Sequence, residues 1–91
     1  MPTIRIVREH TLPHDEVRAD IEELAADLKA KLHADFHWEG ETLRFSRSGA
    51  SGSIELGKHR IAVEIKLSLA LAALKRRVEK TVTDYLDEHF A

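Results

Sequence analysis

The chain has 91 residues, 43 % hydrophobic and 33 % charged, with 14 Lys and Arg against 16 Asp and Glu. That length holds a single domain, residues 1–91, with one modest core, and a net charge of −2 argues against a protein built to wrap nucleic acid or coat an anionic membrane. The lack of cysteine excludes disulfides, thiolate catalysis and cysteine-ligated zinc.

The chain opens Met1-Pro2-Thr3-Ile4-Arg5, without the basic and then apolar regions of a secretory signal. No apolar run approaches the roughly 20 residues that span a bilayer. These observations predict a cytoplasmic protein with no transmembrane segment. Ile4 and Ile6 flank Arg5 and predict a short half-buried strand over 3–9. Thr11 is the expected cap of the first helix, with Pro13 in its first turn. Val17, Ile21, Leu24, Leu28 and Leu32 recur at intervals of three and four, which gives one buried helix face. Acids crowd the start of this helix and lysines its end, in the order the helix dipole favours. The helix is expected to stop near Ala34.

From Phe36 the period falls to two. Phe36 and Trp38 alternate with His37, Glu39-Gly40 turns the chain, and Leu43 and Phe45 alternate with Arg44 and Ser46. This is a hairpin pattern. Ser48-Gly49-Ala50-Ser51-Gly52 reads as a loose connection with a bulge. Ile54 and Leu56 mark the next strand and Gly57-Lys58 the next turn. Ile61, Val63, Ile65 and Leu67 form the strongest strand signal. Ser68 is the expected cap of a last helix running to about Phe90, with Leu71, Leu74, Val78, Val82 and Tyr85 on one face. The expected fold is α+β in two layers, with element order β-α-β-β-β-β-α. Its antiparallel five-stranded sheet carries both helices on one face. The last four strands form a meander, with the first strand beside the fifth.

Several residue sets suggest chemistry. His33 and His37 lie four apart with Asp35 between them, the one cluster that could serve a metal-dependent enzyme. The first His lacks the adjacent Glu of a zinc-hydrolase signature, and the predicted helix ends before the second. His10 and His14 straddle a strand-to-helix turn. Neither pair is assigned as a metal site, and no catalytic residue or cofactor is expected. Ser46–Gly52 lacks the closing Gly-Lys-Ser/Thr of a phosphate loop. Arg44 and Phe45 should face opposite sides of the sheet, which speaks against a nucleic-acid platform.

The last helix carries Lys75, Arg76, Arg77 and Lys80 at its start and Asp84, Asp87 and Glu88 at its end. This order opposes the helix dipole. It also makes the helix complementary to an antiparallel copy of itself, the match a two-fold homodimer uses. Leu69 and Ala73 project away from the buried stripe. Leu69, Ala73, Arg76, Arg77 and Lys80 are therefore the candidate interaction surface. A second function class is a small apolar-ligand module, with Trp38, Phe36 and Tyr85 lining a cavity between sheet and helix.

The stretch WEGETLRFSRSGASGSIEL over 38–56 resembles the central signature of the polyhydroxyalkanoic acid system protein family. The opening IRIVREHTL (4–12) and the VEIKL (63–67) before a terminal amphipathic helix fit the same pattern. The members of this family are small bacterial proteins associated with polyhydroxyalkanoate synthesis and granule genes. The resemblance implies a non-catalytic accessory role in that storage-polyester system, exerted through granule-associated proteins or at the granule surface. It brings no active-site residues with it.

Overall fold

A computed structural model describes residues Thr3–Phe90. Met1 and Pro2, on which the signal-peptide expectation partly rests, lie outside the described residues. The elements are β1 (Thr3–Glu9), α1 (His14–Leu32), β2 (Asp35–Glu39), β3 (Thr42–Arg47), β4 (Ala50–Leu56), β5 (Arg60–Leu67), a 3-10 turn (Leu69–Leu74) and α2 (Lys75–Phe90). All five strands pair antiparallel in the order β1-β5-β4-β3-β2, the meander with the first strand beside the fifth.

Strand alternation decides which face is covered. Ile4, Ile6, Leu43, Phe45, Ile54, Leu56, Ile61, Val63, Ile65 and Leu67 are buried on one face. Against them pack Val17, Ile21, Leu24, Ala25, Leu28 and Leu32 of α1 and Val78, Val82, Tyr85, Leu86 and Phe90 of α2. The other face is solvated and charged. There Arg5 pairs with Glu64 at 3.1 Å and Arg44 with Glu39 at 2.5 Å. Both partners in each pair are exposed, so each contributes little to stability. No helix among the described residues is long and apolar enough to cross a membrane.

Four local expectations need correction. The first helix starts at His14 with Pro13 at its N-cap, and Thr11 does not cap it. The residue before a proline is pushed towards extended backbone, so Leu12 cannot be helical. The first intrahelical bond runs from the Val17 N–H to the Pro13 carbonyl at 3.1 Å. At the other end the helix stops at Leu32, because His33 turns left-handed at φ 56° and donates its N–H to the Lys29 carbonyl at 2.8 Å. Next, the first hairpin turns at Gly40-Glu41, one residue later than expected, with Gly40 at φ 61°.

Third, Ser48–Gly52 is not a loose connection. Only Ser48 and Gly49 turn the chain, and β4 begins at Ala50. Gly52 sits inside β4 opposite Phe45. A Cβ there would lie 2.5 Å from both the Glu64 carbonyl and the Phe45 ring. The glycine is needed for close approach within the sheet, not for a turn. Fourth, the last helix does not start at Ser68. Leu69–Leu74 winds as a 3-10 turn, and the α-helix begins only at Lys75. Ser68 is extended and donates its N–H to the Gly49 carbonyl at 2.7 Å. In a 3-10 turn positions three apart eclipse, which sets half-buried Leu71 and Leu74 over the core and leaves Leu69 outside.

Gly52→Ala should destabilise the protein by about 1–3 kcal/mol through overpacking, read as a lower urea midpoint at unchanged slope. His33→Gly should stabilise it by about 1 kcal/mol by relieving a left-handed backbone at a side-chain-bearing residue, read as a higher midpoint.

Candidate functional site

All five residues of the candidate interaction surface are exposed: Leu69, Ala73, Arg76, Arg77 and Lys80. Leu69 is 82 % exposed, and no residue of its 3-10 turn is buried. Leu69–Leu74, most of the apolar run, is therefore not a deeply buried helix start. Arg77 also lines a dent of about 270 Å³ between α1 and α2, together with Lys31, Leu74 and Val78. Lys31 extends the basic surface across the helix pair. Its Nζ donates to the Thr81 hydroxyl at 3.2 Å, which itself donates to the Arg77 carbonyl at 3.0 Å. Lys31 is not among the sequence candidates, because it lies 45 residues from Arg76 in the chain and no local periodicity joins them.

The charges of α2 are not all free. Lys80 pairs with Asp84 at 2.7 Å, and that hydrogen bond raises the Lys80 pKa. Asp87 pairs with Arg8 of β1 at 3.0 Å. Arg76 and Arg77 have no ion-pair partner among the described residues. Asp84 and Asp87 of the acidic end are engaged within the molecule, while part of the basic start is open.

The histidine cluster does not converge. His33 ends α1, whereas Asp35 and His37 lie on the solvated face of β2. His37 is hydrogen-bonded to Glu39 at 3.2 Å. The hydrogen bonds from His37 and then Arg44 hold the Glu39 carboxyl below its usual range. Among the described residues no three His, Asp or Glu side chains come together as metal ligands. Phe36 and Trp38 line a slot of about 280 Å³ beside Ala25, Ala26 and Leu43. Trp38 donates its indole N–H to Glu22 at 3.1 Å, and the Arg18 guanidinium stacks on its ring at 4.0 Å. Tyr85 does not share that slot. Its hydroxyl donates to the Asp20 carbonyl at 2.7 Å, which holds the ring between the two helices. Burial, followed by the carboxylates of Glu23 and Asp20, raises the Tyr85 pKa.

A different set of histidines lines one groove. His10 follows β1, His59 precedes β5 and His89 lies in the last turn of α2. The His10 N–H donates to the His59 carbonyl at 2.9 Å. All three residues line an open groove of about 700 Å³, with Arg60 and Phe90 in its wall. His10 is 8 % exposed. Its Nδ1 accepts from the Leu12 N–H at 3.2 Å, which puts the proton of the neutral ring on Nε2, and that atom has no hydrogen-bond partner. Burial, and then the nearby charge of His59, lowers the His10 pKa below 6.5. The unfolded chain therefore takes up this proton at higher pH than the folded one. Stability from this group is complete above about pH 6.5 and declines as pH falls through the lowered folded value. Urea midpoints measured from pH 7.5 to 5 should fall more steeply for the native protein than for His10→Gln.

The family model described as "putative polyhydroxyalkanoic acid system protein" matches residues 4–90. That span takes in all of α1 and α2, the whole meander, both edges of the sheet and the exposed basic–apolar surface. No curated protein matches the chain. With nearly every described residue inside the match, the chain belongs to the polyhydroxyalkanoic acid system protein family.

Proposed function

We propose that this protein is a non-catalytic accessory component of the polyhydroxyalkanoate system, and that it docks on the granule surface through Leu69, Ala73, Arg76, Arg77 and Lys80. The observation that carries the proposal is Leu69, 82 % exposed on the 3-10 turn that leads into Arg76 and Arg77, whose guanidinium groups have no ion-pair partner among the described residues. A storage polyester offers alkyl groups and ester carbonyls. Leu69 and Ala73 suit the former by burial of apolar area, and Arg76 and Arg77 suit the latter as hydrogen-bond donors. Lys31 and Arg77 widen the donor surface across both helices. A cytoplasmic location at granules follows from the same proposal.

A second copy of the chain is less well supported as the occupant. An antiparallel α2 pair needs the acidic end to face the basic start, yet Asp84 and Asp87 already pair with Lys80 and Arg8. Sedimentation of purified protein with isolated polyhydroxyalkanoate granules tests the docking surface. The native chain should pellet with the polymer, and Leu69→Asp combined with Arg76→Glu and Arg77→Glu should stay in the supernatant with an unchanged circular dichroism spectrum. A native chain left wholly in the supernatant overturns the proposal, as does a fluorescent fusion spread evenly through polymer-rich cells.

A further inference from the structure

The groove around His10 lies at the opposite end of the fold from Leu69. β5 runs from Arg60 at the groove to Leu67, and α2 runs back from the basic surface to Phe90. Its wall offers three kinds of contact. Arg60 is a cation with no ion-pair partner among the described residues, and the His10 Nε2–H is a buried donor that lacks an acceptor. His89 is the converse case. Its Nδ1–H donates to the Tyr85 carbonyl at 3.0 Å, so Nε2 of the neutral ring is a lone-pair acceptor. Glu9 adds a second acceptor, and Phe90 with half-buried Leu12 supplies apolar wall.

Donors, acceptors and apolar surface in one groove select a ligand that is amphipathic in a particular way. An anionic acceptor would meet Arg60, a hydroxyl donor would meet His89 or Glu9, and a short alkyl segment would lie on Phe90 and Leu12. A simple fatty acid lacks the donor, and an inorganic anion lacks the apolar part. We propose that this groove binds free hydroxyalkanoic acids, the monomers of the storage polyester. The choice of ligand rests on the family's place in the polyhydroxyalkanoate system, whereas the groove chemistry stands on its own residues. Its volume of about 700 Å³ falls within the range of about 300–1,000 Å³ usual for small-molecule sites.

Histidine-ring NMR signals of the full chain, titrated with sodium 3-hydroxyoctanoate and separately with sodium octanoate, test this. Signals of His10, His59 and His89 should move saturably with the hydroxy acid, and octanoate should bind about tenfold more weakly because one buried polar partner is left unmet. Arg60→Gln should weaken the hydroxy acid about tenfold by removing a charge-assisted hydrogen bond, with thermal unfolding unchanged. Should Arg60→Gln fold poorly, His89→Phe should narrow the preference between the two acids. Equal affinity for both acids, an unaffected Arg60→Gln, or shifts confined to residues around Leu69 would overturn the proposal. Arg60→Gln should still pellet with granules. A chain that pellets but gives no saturable shift loses the groove proposal and keeps granule docking, and a chain that binds the acid but does not pellet does the reverse.

Discussion

The pairing of β5 with both β1 and β4 is the constraint on which the rest of the structure depends. Its inward row, Ile61, Val63, Ile65 and Leu67, is at most 2 % exposed. A local meander of β2 to β5 could form without β1, but it would leave β5 as an unpaired edge beneath α2. β1 closes that edge from more than 50 residues away in the chain, with Ile4 opposite Ile65 and Ile6 opposite Val63. Closing so long a loop costs only slightly more than closing a short one, because the entropy grows with the logarithm of length. The apolar pairs repay it. The same pairing anchors α2, since Arg8 on β1 reaches Asp87 at 3.0 Å.

Period-two alternation made the strands and their buried faces legible; it does not by itself order them, and the pairing of β1 with β5 lies outside any local pattern. The alternation failed at Gly52, where what matters is a carbonyl and an aromatic ring on neighbouring strands, and no local pattern carries that information. The stripe from Val17 to Leu32 made α1 legible, but its start was set by the proline's effect on Leu12 and not by the hydroxyl of Thr11. The last helix misled in a different way. Leu-Ala-Leu-Ala-Ala-Leu is good helix sequence by propensity, yet Ser68 is drawn to Gly49 and the chain must wind tightly to reach α2.

The candidate surface could be proposed from the sequence because its apolar and basic residues lie within twelve positions of one another, across the 3-10 turn and the start of α2. The histidine groove could not. His10 and His59 become neighbours only through the register that sets Glu9 against Arg60, and His89 arrives from the end of a helix packed across that strand pair. The cluster at His33, Asp35 and His37 was conspicuous because it is close in sequence. Helix end and strand alternation then separate its members.

The bond between Ser68 and Gly49 bears on recognition as well as on folding. It ties the base of the 3-10 turn to the β3–β4 hairpin, and Leu71 closes over the same glycine, where an added Cβ would stand 3.1 Å from its side chain. Leu69 is thus carried on a short arm clamped at its root. Much of the entropy that a loose loop loses on contact with a surface has already been lost during folding. For the docking proposed above, an exposed leucine held in this way would be a preset anchor, and loosening the clamp should weaken attachment without touching a single contacting atom.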